Sequence, residues 1–218
     1  MSANNTSYTG VRDDLLAVIP DEPLVEVLDV GCANGATGAV IKERFPGSIV
    51  TGIELDAQLA EQASARLDRV LHADALAGLE TLSAEGKSFD LVLCGDVLEH
   101  LVDPWRALRL IRGLTRGSVI VSLPNVAHYT TLWSLFATKR WPYRERGIHD
   151  RTHLRFFGAA NLPELFASAG LTEVKRRQNH RIFETPHRVN EKLGPILAVL
   201  PGISGLTCYQ FLCVLRPS

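Results

Sequence analysis

Residues 27–38 read VLDVGCANGATG, and this stretch decides the fold of the chain. An apolar run containing Val27, Leu28 and Val30 passes directly into small residues. Small residues after a buried strand allow the backbone to approach a ligand closely. The stretch therefore predicts a strand followed by a ligand-binding turn that begins at Gly31.

Short segments rich in Val, Ile and Leu alternate with segments whose apolar residues recur at helical spacing. The predicted strands are 24–30, 48–54, 69–72, 89–94 and 117–123. The predicted helices between them are 36–45, 57–67, 75–84 and 103–114. Strict alternation predicts an α/β fold, in which helices cover both faces of a parallel sheet. Ligands of such sheets bind at the carboxyl ends of the strands, where residues 31–35 would lie.

The alternation becomes less regular after residue 123. The predicted elements there are helices at 128–138 and 159–169, strands at 171–178 and 207–215, and a short helix within 188–199. We interpret residues 1–218 as one domain, with a cofactor-binding half (1–123) and a substrate half (124–218). Residues 124–158 are expected to form a substrate lid, to which 179–205 could also contribute.

Composition indicates an ordinary globular chain, since 46% of its 218 residues are hydrophobic and 22% are charged. No apolar run reaches the roughly 18 to 20 residues of a membrane span. The first residues are polar and do not form a signal peptide, so a cytoplasmic location without membrane contact is expected. The four cysteines lack C-x-x-C spacing, which favours buried thiols over a disulfide or zinc site.

Charge is distributed unevenly along the chain. Residues 1–138 hold 10 Lys or Arg against 18 Asp or Glu, whereas residues 139–218 hold 13 against 6. This contrast predicts that different segments handle two ligands or two parts of one site.

Carboxylates stand at the ends of four predicted strands, at Asp29, Glu54, Asp74 and Asp96. A carboxylate after the second strand can accept both ribose hydroxyls, and one after the third can accept from an adenine amino group. Repeated carboxylates would repel phosphate, and the G-x-G-x-x-G spacing of dinucleotide sites is not met. The lining favours a cationic adenosine without phosphates, such as S-adenosylmethionine. In the structural alternative, these residues only form turns and helix caps.

Four segments resemble, in order and spacing, the motifs of class I S-adenosylmethionine-dependent methyltransferases. They are VLDVGCANG (27–35), GIELD (52–56), HADAL (72–76) and FDLVLCGDVLEHLVDP (89–104). The resemblance implies a Rossmann-like seven-stranded sheet, mostly parallel with its last strand antiparallel, and S-adenosylmethionine as cofactor. The family often has Gly where this chain has Ala33, and the methyl group of Ala33 should narrow the turn. The cofactor-binding residues expected from the lining and the resemblance are Asp29, Gly31, Cys32, Ala33, Asn34, Gly35, Glu54, Leu55, Asp74, Ala75, Asp96, Val97 and His100.

Residues 139–157, KRWPYRERGIHDRTHLRFF, hold six Lys or Arg, two acids, two histidines and four aromatic residues. The string GIHDRTHLRFF resembles a bacterial methyltransferase branch related to methionine-biosynthesis and glycan-associated members. Because the Arg fork suits phosphate or carboxylate, a small anionic acceptor such as a phosphorylated or nucleotide-linked sugar is expected. Alternatively, Arg151 and Arg155 pair with acids while Phe156 and Phe157 pack in the core. The predicted acceptor-binding residues are Trp141, Tyr143, Arg144, Arg146 and Arg151.

Histidines after the fifth predicted strand are candidates for a general base. Transfer to a hydroxyl benefits from a base, and imidazole, with a pKa of about 6.5, can accept a proton near neutral pH. His153 is the first choice, His149 the second and His128 the third. His149, Asp150 and His153 also have a spacing that could bind a metal on a helix, but the nearby Pro and Gly indicate a loop, so no metal is predicted.

Two other functions stay open at this point. A nucleic-acid methyltransferase would explain the basic half, although acids interrupt it and the pI is 6.7. A non-catalytic protein that binds S-adenosylmethionine would keep the same cofactor residues. The sequence does not indicate an oligomeric state.

Overall fold

A seven-stranded sheet organises the structure, a computed structural model that describes residues 9–182, 193, 196 and 204–218. The strand order is β3-β2-β1-β4-β5-β7-β6. Strands β1 to β5 are parallel, and β7 runs antiparallel between β5 and β6. The predicted sheet is therefore confirmed. Its strands are β1 (Glu26–Val30), β2 (Ile49–Glu54), β3 (Arg69–His72), β4 (Phe89–Gly95), β5 (Thr115–Pro124), β6 (Leu171–His180) and β7 (Cys208–Pro217).

Helices connect the strands, and none in the described part of the chain is long and apolar enough to cross a membrane. They are α1 (Asp13–Leu16), α2 (Ala36–Arg44), α3 (Ala57–Ser64), α4 (Ala75–Ala84), α5 (Pro104–Leu114), α6 (Tyr129–Trp133) and α7 (Leu162–Ala167). Shorter helical turns occur at Leu98–His100, Ser134–Thr138 and Ser204–Thr207. Except for residues 193 and 196, the helix predicted within 188–199 lies outside the described residues.

Aspartates begin three of these helices. Asp56 accepts hydrogen bonds from two backbone amides of α3, Asp74 from Ala77 N, and Asp103 from Arg106 N. Pro104 follows the last cap at the first helical position, where its missing N–H is not needed. Each cap satisfies amides that the helix leaves unpaired, and it fixes where the preceding strand must end.

Alternating side chains of the central strands build two cores. Leu28 and Val92 pack in the core that includes residues of α4, α5 and α7, whereas Val27 and Leu91 pack in the core that includes residues of α1, α2 and α3. A parallel sheet covered on both faces exposes its functional groups only at the strand ends. The four cysteines are buried free thiols within this fold.

Residues 125–161, here called the acceptor segment, leave the sheet after β5 and return before α7. The segment is anchored by a bridge between Asn125 and Phe157, in which Val126 N donates to Phe157 O at 3.0 Å. Asn125 Nδ2 also donates to Cys208 O at 2.8 Å. Leu154 N donates to Glu99 O at 2.8 Å, so the segment lies against the end of β4. Its movement as a lid stays a prediction.

Candidate active site

The turn after β1 is held against β2 by its own backbone. Gly31 N and Cys32 N both donate to Ile53 O, at 2.8 and 3.1 Å. Gly31 has a φ of +74°, and a Cβ there would lie 2.6 Å from Val97 Cγ2. A side chain at this position would strain the backbone and displace Val97. Gly31 therefore allows the turn to pack closely against Val97 at this edge of the sheet.

The rest of the turn also requires a left-handed backbone. Ala33 has a φ of +48° and Gly35 a φ of +77°. Left-handed backbone costs a residue with a Cβ about 1 to 2 kcal/mol, so Ala33 holds a strained position that Gly would occupy freely. A Cβ at Gly35 would lie 3.1 Å from Ala63 Cα, which shows how closely the start of α2 approaches α3.

Glu54, the last residue of β2, has both carboxylate oxygens fixed by backbone amides. Oε2 accepts from Ala33 N and Oε1 accepts from Asp56 N, each at 2.9 Å. A carboxylate oxygen has a second lone pair, so both can still accept from a ligand hydroxyl. Leu55 beside it is 69% exposed. A fixed carboxylate next to an open apolar side chain suits the ribose and base of an adenosine.

Asp74 and Ala75 begin α4, on the far side of Glu54. The Oδ1 atom of Asp74 accepts from Ala77 N at 3.0 Å, and Ala75 packs partly against the core. The helix cap explains Asp74 without a ligand, so its contact with adenine stays a prediction.

Asp96 lies at the centre of a polar network after β4. It adopts a φ of +55°. Its Oδ2 atom accepts from Arg12 Nη1 at 2.8 Å, and its Oδ1 atom accepts from Ser122 Oγ at 2.7 Å and Gln210 Nε2 at 2.6 Å. Burial alone would lower the pKa of Arg12, but Asp96 and Asp14 together raise it. The Asp96 charge is thus balanced within the protein. We call the ends of β1, β2 and β4, with the turns that follow them, the cofactor edge.

Asp29 lies inside the sheet rather than at its surface. It is 6% exposed and is paired with Gly52 on β2 and Leu93 on β4. Burial raises the pKa of Asp29 to about 7, with a smaller rise from Glu54, although Arg12 opposes the change. Its place favours an electrostatic role beneath the turn, and direct contact with a cofactor stays a prediction.

Glu99, His100 and His153 come together where the acceptor segment meets the end of β4. One ligand-type atom from each lies within 4.8 Å of the others, and the two rings meet edge to face at 4.7 Å. Burial, followed by the nearby His100, lowers the pKa of His153. Burial, followed by Asp96, raises the pKa of Glu99 well above its ordinary value. The structure thus places His100, which was predicted to bind the cofactor, next to His153, which was predicted to be the general base.

The other two candidate bases are enclosed. His128 and His149 are both 0% exposed. His128 Nε2 donates to Arg181 O at 2.9 Å, and His149 Nε2 is 2.9 Å from Thr131 Oγ1. Burial and these partners favour structural roles for both rings, and a catalytic role for either stays a prediction.

Most of the predicted acceptor-binding residues are exposed on the acceptor segment. Arg151 pairs with Glu145 at 3.1 Å on the surface. Trp141 packs edge to face against His149, with ring centres 5.3 Å apart. Exposed guanidinium groups suit the capture of an anion from solvent, which stays a prediction. The four exposed residues are Tyr143, Arg144, Arg146 and Arg151.

A family described as "Methyltransferase domain" matches residues 28–117. The matched residues run from β1 into β5 and include Gly31, Glu54 and Asp96. Residues 28–117 are thus similar to a methyltransferase domain. The match covers all three strand ends of the cofactor edge, and the acceptor segment lies outside it.

Curated relatives of this chain carry the names of two different methyltransferases. A ubiquinone biosynthesis O-methyltransferase from Coxiella burnetii is 26% identical over 150 residues, which are 66% of this chain and 62% of the relative. A trans-aconitate 2-methyltransferase from Methylobacterium radiotolerans is 35% identical over 131 residues, which are 56% and 49% of the two chains. The chain thus spans about half to three fifths of the length of these relatives.

Solved structures share the fold at low sequence identity. Magnesium protoporphyrin IX methyltransferase from Synechocystis, solved with bound S-adenosylhomocysteine, superposes with a TM-score of 0.62 and 13% identity, covering 98% of this chain and 83% of the other. The [4+2]-cyclase SpnF superposes with a TM-score of 0.60 and 19% identity, covering 94% and 79%. Since a cyclase shares the architecture, the fold of this chain does not by itself specify a reaction.

Sequence analysis of this chain missed Arg12, Ser122 and Gln210. These residues lie before α1, in β5 and in β7, and each of them bonds to Asp96. Arg12 Nη2 also donates to Ser122 Oγ at 3.2 Å. An Arg beside two acids, or a Gln within an apolar strand, gives no local signal for such a network. The apolar surroundings of Glu99 were visible in GDVLEHL, but its partner His153 is 54 positions away along the chain.

Proposed function

We propose that this chain binds S-adenosylmethionine at the cofactor edge and transfers its methyl group to an oxygen of a small, anionic acceptor. The observation that carries the proposal is Glu54, whose two oxygens are fixed by Ala33 N and Asp56 N beside the exposed Leu55. This arrangement is preorganised for ribose hydroxyls, since the carboxylate need not reorient when a ligand binds. Asp74 and Ala75 would face the adenine, and Gly31 would lie beneath the methionine part.

When bound, S-adenosylmethionine supplies a methyl group on a positively charged sulfur. The chain's own contribution is alignment, because the acceptor oxygen must lie in line with the bond that breaks. Such positioning can contribute roughly 7 to 11 kcal/mol. Glu99 and His100 come shortly after Val97, which flanks the turn, so the group that they form with His153 would lie at the acceptor side of the methyl group.

The acceptor is proposed as an oxygen nucleophile, with nitrogen less favoured. One relative's name states O-methylation, and the exposed guanidinium groups of Arg144, Arg146 and Arg151 suit phosphate or carboxylate. A sugar phosphate or glycan precursor fits this chemistry, as does a carboxylated small molecule.

Calorimetric titration with S-adenosylmethionine tests the cofactor, with a nicotinamide dinucleotide as the negative ligand. We expect one site per chain and no dinucleotide binding. Glu54→Ala should weaken binding by about 1.5 to 3 kcal/mol because a charge-assisted bond to ribose is lost. Glu61→Ala, on the exposed surface of α3, is the matched control and should bind normally. Equal affinities of the two variants would contradict the role of Glu54.

Methyl transfer is tested next with a labelled donor and three acceptor pools: sugar phosphates, phenols and carboxylic acids. Label in any one pool supports an enzyme and selects the acceptor class. Cofactor binding without transfer to these pools or to nucleic acid would instead support a non-catalytic binding protein.

A further inference from the structure

We propose that Glu99, His100 and His153 form a binding site for one divalent transition-metal ion. The site offers a carboxylate and two imidazoles, a ligand set that suits zinc, manganese, iron, cobalt or nickel. The three ligand atoms lie within 4.8 Å of one another. Metal–ligand bonds of about 2.1 Å bring ligand atoms to within roughly 4 Å of each other, so small side-chain rotations complete the site.

The strongest sign of a missing partner is on Glu99. Its side chain is buried, with the residue 1% exposed, and its Oε2 atom has no hydrogen-bond partner among the described residues. A buried carboxylate oxygen without a partner is costly, since it has lost its hydration without replacement. Asp96 and Asp150 add negative charge nearby. A bound cation would satisfy the oxygen and offset the three neighbouring carboxylates.

Both histidines have Nδ1 engaged in a hydrogen bond, which leaves Nε2 available to a metal ion. His153 Nδ1 donates to Ile148 O at 3.1 Å, which fixes the tautomer whose Nε2 carries the lone pair. His100 Nδ1 lies 3.1 Å from Thr152 Oγ1, whose own proton goes to Asp150 Oδ1 at 2.6 Å. The hydroxyl therefore accepts from His100 Nδ1. Metal-binding histidines usually have such a second bond on the other ring nitrogen.

The fold holds the three residues together through the backbone. Leu154 N and Arg155 N both donate to Glu99 O, at 2.8 and 3.0 Å. These bonds bring His153 beside Glu99 from a distant part of the chain. The cluster is therefore assembled by docking of the acceptor segment on the end of β4, next to the cofactor edge.

The chemical role of the ion rests on the proposed function. Three protein ligands leave coordination positions for an acceptor oxygen. A metal ion lowers the pKa of a coordinated hydroxyl, so the oxygen would lose its proton to solvent before it attacks the methyl carbon. The S–C bond breaks as the O–C bond forms, and its electron pair stays on sulfur. His153 would then act as a ligand in place of a general base.

The test is a titration of the chelator-treated full chain with Co²⁺, followed by calorimetry and by visible absorption. We expect one equivalent to bind and Zn²⁺ to displace it. We expect each of three substitutions to weaken Co²⁺ binding by at least about tenfold: Glu99→Gln, His100→Gln and His153→Gln. Loss of a residue that only orients a metal ligand already weakens metal binding by about that factor. His180→Gln, outside the cluster, is the matched control and should bind Co²⁺ as the unaltered chain does.

Circular dichroism and thermal unfolding show that each variant is folded, and the affinity of the unaltered chain for S-adenosylmethionine is measured in parallel. Absence of Co²⁺, Zn²⁺ and Mn²⁺ binding by the unaltered chain would overturn the metal site, as would undiminished binding by all three variants. Either result, with cofactor binding intact, would leave the proposed methyl transfer standing. Failure of the proposed function would appear differently, as absence of cofactor binding whether or not metal is bound.

Discussion

The cofactor edge and the acceptor segment meet at the end of β4, but they are built by different means. The cofactor edge consists of turns whose backbone amides bond to Ile53 O and to the Glu54 carboxylate. The acceptor segment has no strand ladder of its own and depends on a few anchors, such as Phe157 and the two bonds to Glu99 O. One region is fixed by the sheet, whereas the other is fixed by docking on it. Binding sites of the second kind can change acceptor without changing the fold.

The largest effect is expected at the main anchor of the acceptor segment. Phe157 is 4% exposed, whereas its neighbour Phe156 is 47% exposed. Phe157→Ala should lower the free energy of unfolding by about 3 to 5 kcal/mol, because it leaves a cavity in the core. Phe156→Ala is the matched control and should lower it by clearly less. Similar losses in denaturant titrations would mean that the segment is not anchored at Phe157.

A pH titration of stability sharpens the description of the cofactor edge. The pKa of Asp29 is raised to about 7 in the folded protein. Between about pH 4 and that value, the folded state holds a proton that the unfolded state has lost, so stability falls as pH rises through this window. The fall should amount to a few kcal/mol, since one pKa unit corresponds to about 1.4 kcal/mol. Asp29→Asn should remove it.

Asp68 is a control, because its pKa is shifted in the opposite direction to that of Asp29. Burial opposes the change, but the hydrogen bond from Lys42 and that from Val50 N lower the pKa of Asp68. The stability that ionised Asp68 contributes to the fold is present above the ordinary pKa of an aspartate and is lost as pH falls. Asp68→Asn should therefore alter the acid side of the profile and leave the fall toward pH 7 in place.

The turn after β1 offers a smaller but more selective test. Gly31→Ala should weaken S-adenosylmethionine binding at least about tenfold, or 1.4 kcal/mol, because the new Cβ would displace Val97 as well as strain the backbone. Gly47→Ala is the matched control, since Gly47 has a φ of +92° and a Cβ added there would meet no atom within 4 Å among the described residues. It should reduce stability alone. Equal cofactor affinity in the two variants would show that the turn at Gly31 takes no part in cofactor binding.

The smallest effect on stability is expected on the outer surface of the acceptor segment. The side chains of Arg151 and Glu145 are 64% and 77% exposed. Arg151→Ala should change the free energy of unfolding by no more than about 1 kcal/mol, as is usual for exposed ion pairs. In the same variant we expect a higher KM for an anionic acceptor and an unchanged affinity for the cofactor. An unchanged KM would remove Arg151 from the acceptor site.

The strands and helices of residues 24–114 were predicted well because their sequence signals are local. Strand β3 was predicted with its observed ends, and α4 likewise, since apolar periodicity and the cap at Asp74 act over a few residues. The network around Asp96 was not predictable in this way, because Arg12 and Gln210 are brought to it only by tertiary packing. Burial was the other missing information. The neighbouring sequence does not show that His128 is enclosed while His153 is half-buried. It also does not show which of Phe156 and Phe157 is buried.

The position of β7 has a consequence for the order in which the protein assembles. β6 precedes β7 in the chain, yet β7 lies between β5 and β6. β6 therefore joins the sheet only through Cys208–Pro217, whose partner strand β5 is distant in the chain, and such long-range pairing is intrinsically slow. Since Gln210 on β7 donates to Asp96, the pairing of β7 with β5 also completes the polar network beside the cofactor edge. Loss of β7 would therefore detach β6 from the sheet and remove one donor from Asp96.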